Sequence, residues 1–217
     1  MGDQVRLSEI VQKEAMLWGD AAGEAYHEPA DVGMDLQWDT FLSPLLKRHE
    51  VSLRVTLDLA CGRGRNTLKL LECGAERVVA VDVNPENIDQ CMRRFTNEPV
   101  VCLINNGFDL SGLDMEQFTL VYSWDAMVHF DLLIVASYLP EFYRVLEAEG
   151  ICLIHHSNFS GRPGADFLTN PHARNFMSAD IFRHLAIRSG FECVEQSIIQ
   201  WGSDPGLDCI SVLRKRR

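Results

Sequence analysis

The sequence predicts an α/β protein of the doubly wound type, and three observations carry that expectation. From Leu53 onward, short β-rich runs alternate with longer amphipathic ones, the texture of βαβ units around a mostly parallel sheet. The first run passes into a glycine-bearing turn, Cys61 to Gly64, that opens a helix. The last two runs are joined by Gly202-Ser203-Asp204-Pro205-Gly206, a composition that makes a hairpin, so the sheet should end in an antiparallel pair.

Taken in order, residues 1–50 carry spaced apolar positions (Leu7, Ile10, Val11, Met16, Trp18, then Leu36, Trp38, Phe41, Leu42, Leu45, Leu46). They suit two helical segments parted by a loop around Gly33, an N-terminal cap ahead of a domain spanning 51–217. Strands are expected at about Leu53 to Ala60, Arg77 to Asp82, Val100 to Ile104, Phe118 to Ser123 and Gly150 to His156, with helices after the first, second and fourth. The helix of about Leu132 to Leu146 should be closed by Gly150. A further helix runs from the N-cap Ser178 to Ser189, with Gly190 ending it. The closing strands fall at about Glu192 to Gln200 and Leu207 to Leu213.

The composition limits the partners. The 217 residues can bury one sizeable core, so a single active site is expected. A net charge of −11 opposes nucleic-acid and anionic-membrane partners, because such binding relies on Lys and Arg displacing counterions. The seven cysteines lack the paired spacing of zinc ribbons or a disulfide framework, which suits reduced thiols in a cytoplasmic protein. Neither a signal-peptide core nor a membrane span of ~18 to 20 apolar residues is expected.

The strongest chemical signal is Thr56-Leu57-Asp58-Leu59-Ala60-Cys61-Gly62-Arg63-Gly64-Arg65-Asn66-Thr67, a strand entering a turn that lets a ligand approach backbone N–H groups. Val79-Ala80-Val81-Asp82 follows, a strand ending in a carboxylate ~20 residues later, where a ribose-binding acid belongs. A nicotinamide site would want a third glycine where Thr67 stands. Asp58, just before the turn, is placed to receive an ammonium group, which suits the aminocarboxypropyl arm of S-adenosylmethionine.

The stretch Leu57 to Thr67 resembles motif I of the class I S-adenosylmethionine-dependent methyltransferases, with Ala60 in place of the first glycine. That resemblance covers about Trp38 to the C-terminus and implies a Rossmann-like domain whose product is S-adenosylhomocysteine. It implies that Asp58, Ala60, Cys61, Gly62 and Gly64 line the methionine end, that Asp82 holds the ribose hydroxyls and that Val83 packs on the adenine. Asn105-Asn106-Gly107-Phe108-Asp109 matches the adenine-contacting turn, with Asn106 and Asp109 as alternative adenine partners. Ser123 and Trp124, ending the fourth strand, stand where both ligands should meet, and His129 resembles a histidine often found in this stretch of the family.

His155 and His156 end the fifth strand, and adjacent strand residues face opposite ways, so at most one can aim at the transferred methyl. A neutral histidine is the expected base for an alcohol acceptor, with His156 ahead of His155 and His129 in reserve, and the rate should rise with pH through the histidine range. No metal-ligand set is expected. The finer pattern is similar to small methyltransferases of glycan and secondary-metabolite synthesis, which implies a small-molecule acceptor such as a saccharide or polar hydroxylated metabolite. Two other readings stand beside it: a nicotinamide oxidoreductase and a non-catalytic methyltransferase-like binding subunit. The oligomeric state has no sequence signature here.

Overall fold

The computed structural model describes residues 2–15, 18 and 30–216, with the side chains of the first two of these left aside. Met16 lies outside the described residues. The chain opens with α1 (Gly2–Ala15), followed by α2 (residues 30–37), a π-helical turn Trp38–Leu42, and α3 (Ser43–Arg48). There follow β1 (Val55–Leu59), α4 (Arg65–Glu72), β2 (Arg77–Asp82), α5 (Pro85–Arg94), β3 (Val100–Ile104), β4 (Phe118–Ser123), α6 (Leu132–Val145), β5 (Leu146–Ser157), α7 (Ala179–Arg188), β6 (Phe191–Trp201) and β7 (Asp204–Lys215).

The strands form one seven-stranded sheet in the order β3-β2-β1-β4-β5-β7-β6. Pairs among β1 to β5 are parallel, and β7 runs antiparallel between β5 and β6. The doubly wound fold with a closing antiparallel pair is therefore the one the sequence predicts. Alternation along β2 shows how the sheet is buried on both faces: Val79 and Val81 join the core under α6, whereas Val78 joins the one under α3. Each fully buried large apolar side chain there contributes about 1.5–3 kcal/mol.

Three local expectations differ from the structure. Gly33 lies inside α2, not in a loop. The helix tolerates it because Ala30, Met34, Trp38 and Leu42, spaced four apart, are all buried along one stripe. Gly150 does not close α6. Leu146 turns extended at once, Glu149 takes the positive φ of 65°, and Gly150 sits in β5, where a Cβ would meet the Glu147 carbonyl at 2.9 Å. The closing hairpin is also tighter than five residues. Trp201 pairs with Asp204, so the loop is Gly202-Ser203, and Pro205 falls where the β6–β7 register shifts, a place that tolerates a missing N–H. Ser178 caps α7 through the Ile181 N–H, as expected, and Gly190 follows in the left-handed region.

The order reverses between β1 and β4, and ligands bind doubly wound sheets in the crevice beyond the carboxyl ends of strands at such a point. Here α1 roofs that crevice: a Cβ on Gly107, at φ +83°, would stand 2.4 Å from the Val11 side chain, so only glycine lets the helix lie this close.

Candidate functional site

A cavity of about 1000 Å³, counting its open mouth, occupies this crevice. Its floor is the turn after β1, where Ala60 and Gly62 both adopt positive φ (56° and 55°). Ala60 is thus held in a conformation that glycine adopts freely, at a cost of about 1 kcal/mol. Gly64, at φ +82°, is required for a different reason: a Cβ there would meet the Phe95 ring at 2.4 Å and the Cys91 sulfur at 2.8 Å. It seats α4 against α5 and does not line the cavity. Cys61 does, with its sulfur 3.9 Å from that of Cys91.

Asp82 ends β2 at the cavity wall. Its Oδ2 accepts the Gly62 N–H at 2.9 Å and its Oδ1 the Asn84 N–H at 2.9 Å, so one carboxylate ties the first turn to the second. Burial raises its pKa above the usual carboxylate value, against these hydrogen bonds. Asp58 stands elsewhere. It is 1% exposed, lies outside the cavity lining, and accepts the Thr67 hydroxyl at 2.7 Å. Burial lifts its pKa to about 7. The geometry therefore joins Asp58 to the helix behind the turn, outside the cavity lining, and gives Thr67 a reason of its own.

Beyond the ends of β2 and β3, Val83 and Gly107 line the cavity, but Asn106, Phe108 and Asp109 do not. Asn106 Oδ1 accepts the N–H groups of Phe108 and Asp109, and its Nδ2 donates to Asp109 Oδ2 at 2.8 Å, so these residues hold the loop's own shape. Asn105 faces the cavity in their place, anchored by donation to the Tyr138 hydroxyl at 2.8 Å.

At the β4 end, Trp124 lines the cavity and Ser123 does not, its hydroxyl donating to the Leu59 carbonyl. Behind Trp124 lies a fully buried network. Arg174 donates to both oxygens of Asp208 (2.9 and 2.6 Å), and His155 Nε2 meets Asp208 Oδ2 at 3.0 Å. Despite burial, which raises it, hydrogen bonds from His155 and Arg174 hold Asp208 down at about 2. The Asp125 N–H donates to His155 Nδ1, fixing a residue whose φ is +54°. The Asp125 carboxylate in turn accepts Arg65 at 3.0 Å.

The two strand histidines are thereby occupied. His155 has both nitrogens engaged and stacks on Trp124 at 4.4 Å. His156 donates from Nδ1 to the Ser157 carbonyl, accepts the Ser211 hydroxyl at Nε2, and stacks on Phe182 at 3.8 Å. Burial lowers its pKa to about 3. Both are wholly buried, and neither lines the cavity. His129 does line it. Its Nδ1 donates to the Ala173 carbonyl at 2.9 Å, its ring lies 4.4 Å from Trp18, and burial lowers its pKa to about 4.

Sequence reasoning missed Arg63 and Glu14. Arg63 and Arg65 flank Gly64 within the motif and were legible there as cavity candidates. Glu14 falls on the apolar stripe of α1, next to Val11 and in step with Leu7 and Trp18, and an acid on such a stripe is a signal.

Residues 56–150 match the methyltransferase-domain family. No curated relative matches the chain. Among solved structures, the chain is similar to an S-adenosylmethionine-dependent methyltransferase from Mesorhizobium loti (18% identity, 79% of this chain and 96% of that one, TM-score 0.65). It is similar also to a TehB-like SAM-dependent methyltransferase from Corynebacterium glutamicum (20%, 91% and 100%, 0.65). A third similar chain is in the complex of the Haloferax volcanii Trm112 methyltransferase activator with a methyltransferase (18%, 86% and 94%, 0.64). At these identities the likeness is one of fold, and it is the Rossmann-like methyltransferase fold. The matched domain and this architecture make the protein a methyltransferase. S-adenosylmethionine is the cofactor that this class implies, and among the described residues no helix is long and apolar enough to cross a membrane.

Proposed function

We propose that the protein transfers a methyl group from S-adenosylmethionine to a hydroxyl of a saccharide or similar polar metabolite, with His129 as general base. The observation that carries the choice of base is the state of His129. Its Nδ1 hydrogen is engaged by Ala173, which leaves Nε2 as the lone-pair nitrogen of a neutral ring at the cavity wall. His155 and His156, with both nitrogens bonded inside the fold, have no lone pair to offer and serve as positioning groups, His155 by holding the Asp125 backbone.

The residues present fit the cofactor. Arg63 lines the cavity, and its Nε is a buried donor with no partner among the described residues, a site for the carboxylate of the amino-acid arm. Asp82 meets the ribose hydroxyls, and Val83, Phe130 and Ile134 offer apolar surface to the adenine. Bound there, the cofactor supplies a methyl carbon made electrophilic by its sulfonium. The chain's own task is alignment and exclusion of water, with residues 1–50 walling the acceptor side through α1, Trp18 and Asp31. His129 takes the acceptor's proton as the new bond forms. We place this chemistry in the cytoplasm, on the composition of the chain.

The test is methyl-donor turnover over a panel of hydroxylated acceptors and amines, with wild type and His129→Ala. Turnover of a hydroxylated acceptor should fall ~100-fold or more in the variant, at unchanged S-adenosylhomocysteine affinity. Because burial keeps His129 neutral down to about 4, the wild-type rate at saturating methyl donor should be level above roughly pH 5 and fall only below it, unlike a free histidine. Methylation of amines alone, or a His129→Ala rate equal to wild type, would overturn the proposed base and acceptor.

A further inference from the structure

We propose that Glu14, on the N-terminal helix, is a cation-recognising group of the cavity that reads the sulfonium charge of the methyl donor and so separates donor from spent product. This inference rests on the cofactor reading above. Glu14 lines the cavity and is 9% exposed. Its Oε1 accepts two hydrogen bonds, from the Asp131 N–H and from Asn175 Nδ2, both at 2.9 Å, and these hold it in place from α6 and from the loop before α7. Its Oε2 takes none among the described residues, and the side chain lines the cavity.

The other acids of the cavity are differently placed. Asp82 has both oxygens on backbone N–H groups, Asp125 is paired with Arg65, and Asp31 is exposed. Lys13, the nearest cation on the helix, reaches away to Asp166 at 2.6 Å, and Asp131 adds a like charge. A desolvated carboxyl oxygen with no cation paired to it among the described residues is costly to ionise, and burial first, then Asp131, raises the Glu14 pKa to about 8, against a smaller pull from Lys13. A ligand that brings a positive charge within reach reverses that cost, and the proton leaves. S-adenosylmethionine and S-adenosylhomocysteine share every charge but the sulfonium, so they form the matched pair for the test. His129 stays neutral near pH 7, and Asp58, lifted to about 7 behind the turn, and Asp82, raised by burial, meet the groups that the two compounds share, so their titration cancels in the comparison.

The experiment is calorimetric titration of the full chain with each compound at pH 7, in buffers of different ionisation enthalpy, for wild type and Glu14→Gln. Glutamine keeps the Oε1 acceptor and removes the charge. Wild type should release more protons on binding the donor than on binding the product, and the variant should release equal numbers. The donor-to-product affinity ratio should fall about tenfold or more in the variant, the worth of a charge-assisted contact. Equal proton release by the two compounds in wild type overturns the proposal even if the variant fails to fold, and so does an unchanged ratio in a folded variant. Binding of neither compound overturns the cofactor reading itself, which is a different result.

Discussion

The two halves of the sheet's carboxyl rim are built by different means. Over β1, β2 and β3 the cavity wall is made by backbone: the Ala60 to Gly62 turn, the Gly107 loop, and Asp82 clasping two N–H groups. Over β4, β5 and β7 it is made by side chains, with Arg174, Asp208, His155, Asp125 and Arg65 linked in a buried chain behind Trp124. The first half can be altered at its surface and still fold, since the backbone carries its shape. The second is far costlier to alter, because removing one member leaves a buried charge uncompensated.

That contrast gives the largest expected effect. Arg174→Ala should destabilise the protein by about 3–5 kcal/mol, read as a fall in denaturation midpoint, because Asp208 would keep its burial and lose its guanidinium. The pH dependence follows from the same pair. A carboxylate held at about 2 contributes stability that is whole above its unfolded value near 4 and is lost as pH falls toward 2. The wild type should lose stability across that window, and Arg174→Ala should lose less of it. An Arg174→Ala protein as stable as wild type would break the contrast.

Asp82→Ala probes the backbone half. It should weaken S-adenosylhomocysteine binding by ~2–3 kcal/mol, measured by calorimetry, with a smaller loss of stability from the freed Gly62 and Asn84 N–H groups. A variant that unfolds outright would erase the distinction between the halves. The smallest effect belongs to Ala60→Gly, which relieves a left-handed alanine and should raise stability by at most about 1 kcal/mol, leaving affinity unchanged. A loss of stability there would mean that the turn's conformation is set by its surroundings and not by residue 60.

The same division explains what could be read beforehand. β2, β3 and β4 begin and end where the sequence places them, because β-rich runs are bounded there by turn residues. The glycine-bearing turn after β1 and the place of Asp82 at the end of β2 were legible for the same reason: both are local backbone features. The histidines were not. What occupies His155 and His156 arrives from Asp208 and Ser211 on β7, and what orients His129 arrives from Ala173, all distant in sequence. Asp58 is joined to Thr67, a hydroxyl donor at the place where a nicotinamide site would want a glycine. Glycine usually marks a break, yet the helix runs through Gly33 because Ala30, Met34, Trp38 and Leu42 keep helical spacing across it.

The central claim is that the cavity over β1 and β2 is a nucleoside site for the methyl donor. The most direct measurement is calorimetric titration of the wild-type protein with S-adenosylhomocysteine and, separately, with NAD. The account expects one S-adenosylhomocysteine site per chain and no heat of binding from NAD, since Thr67 fills the place of the third glycine and Asp82 awaits a ribose. Saturable NAD binding without S-adenosylhomocysteine binding would contradict it.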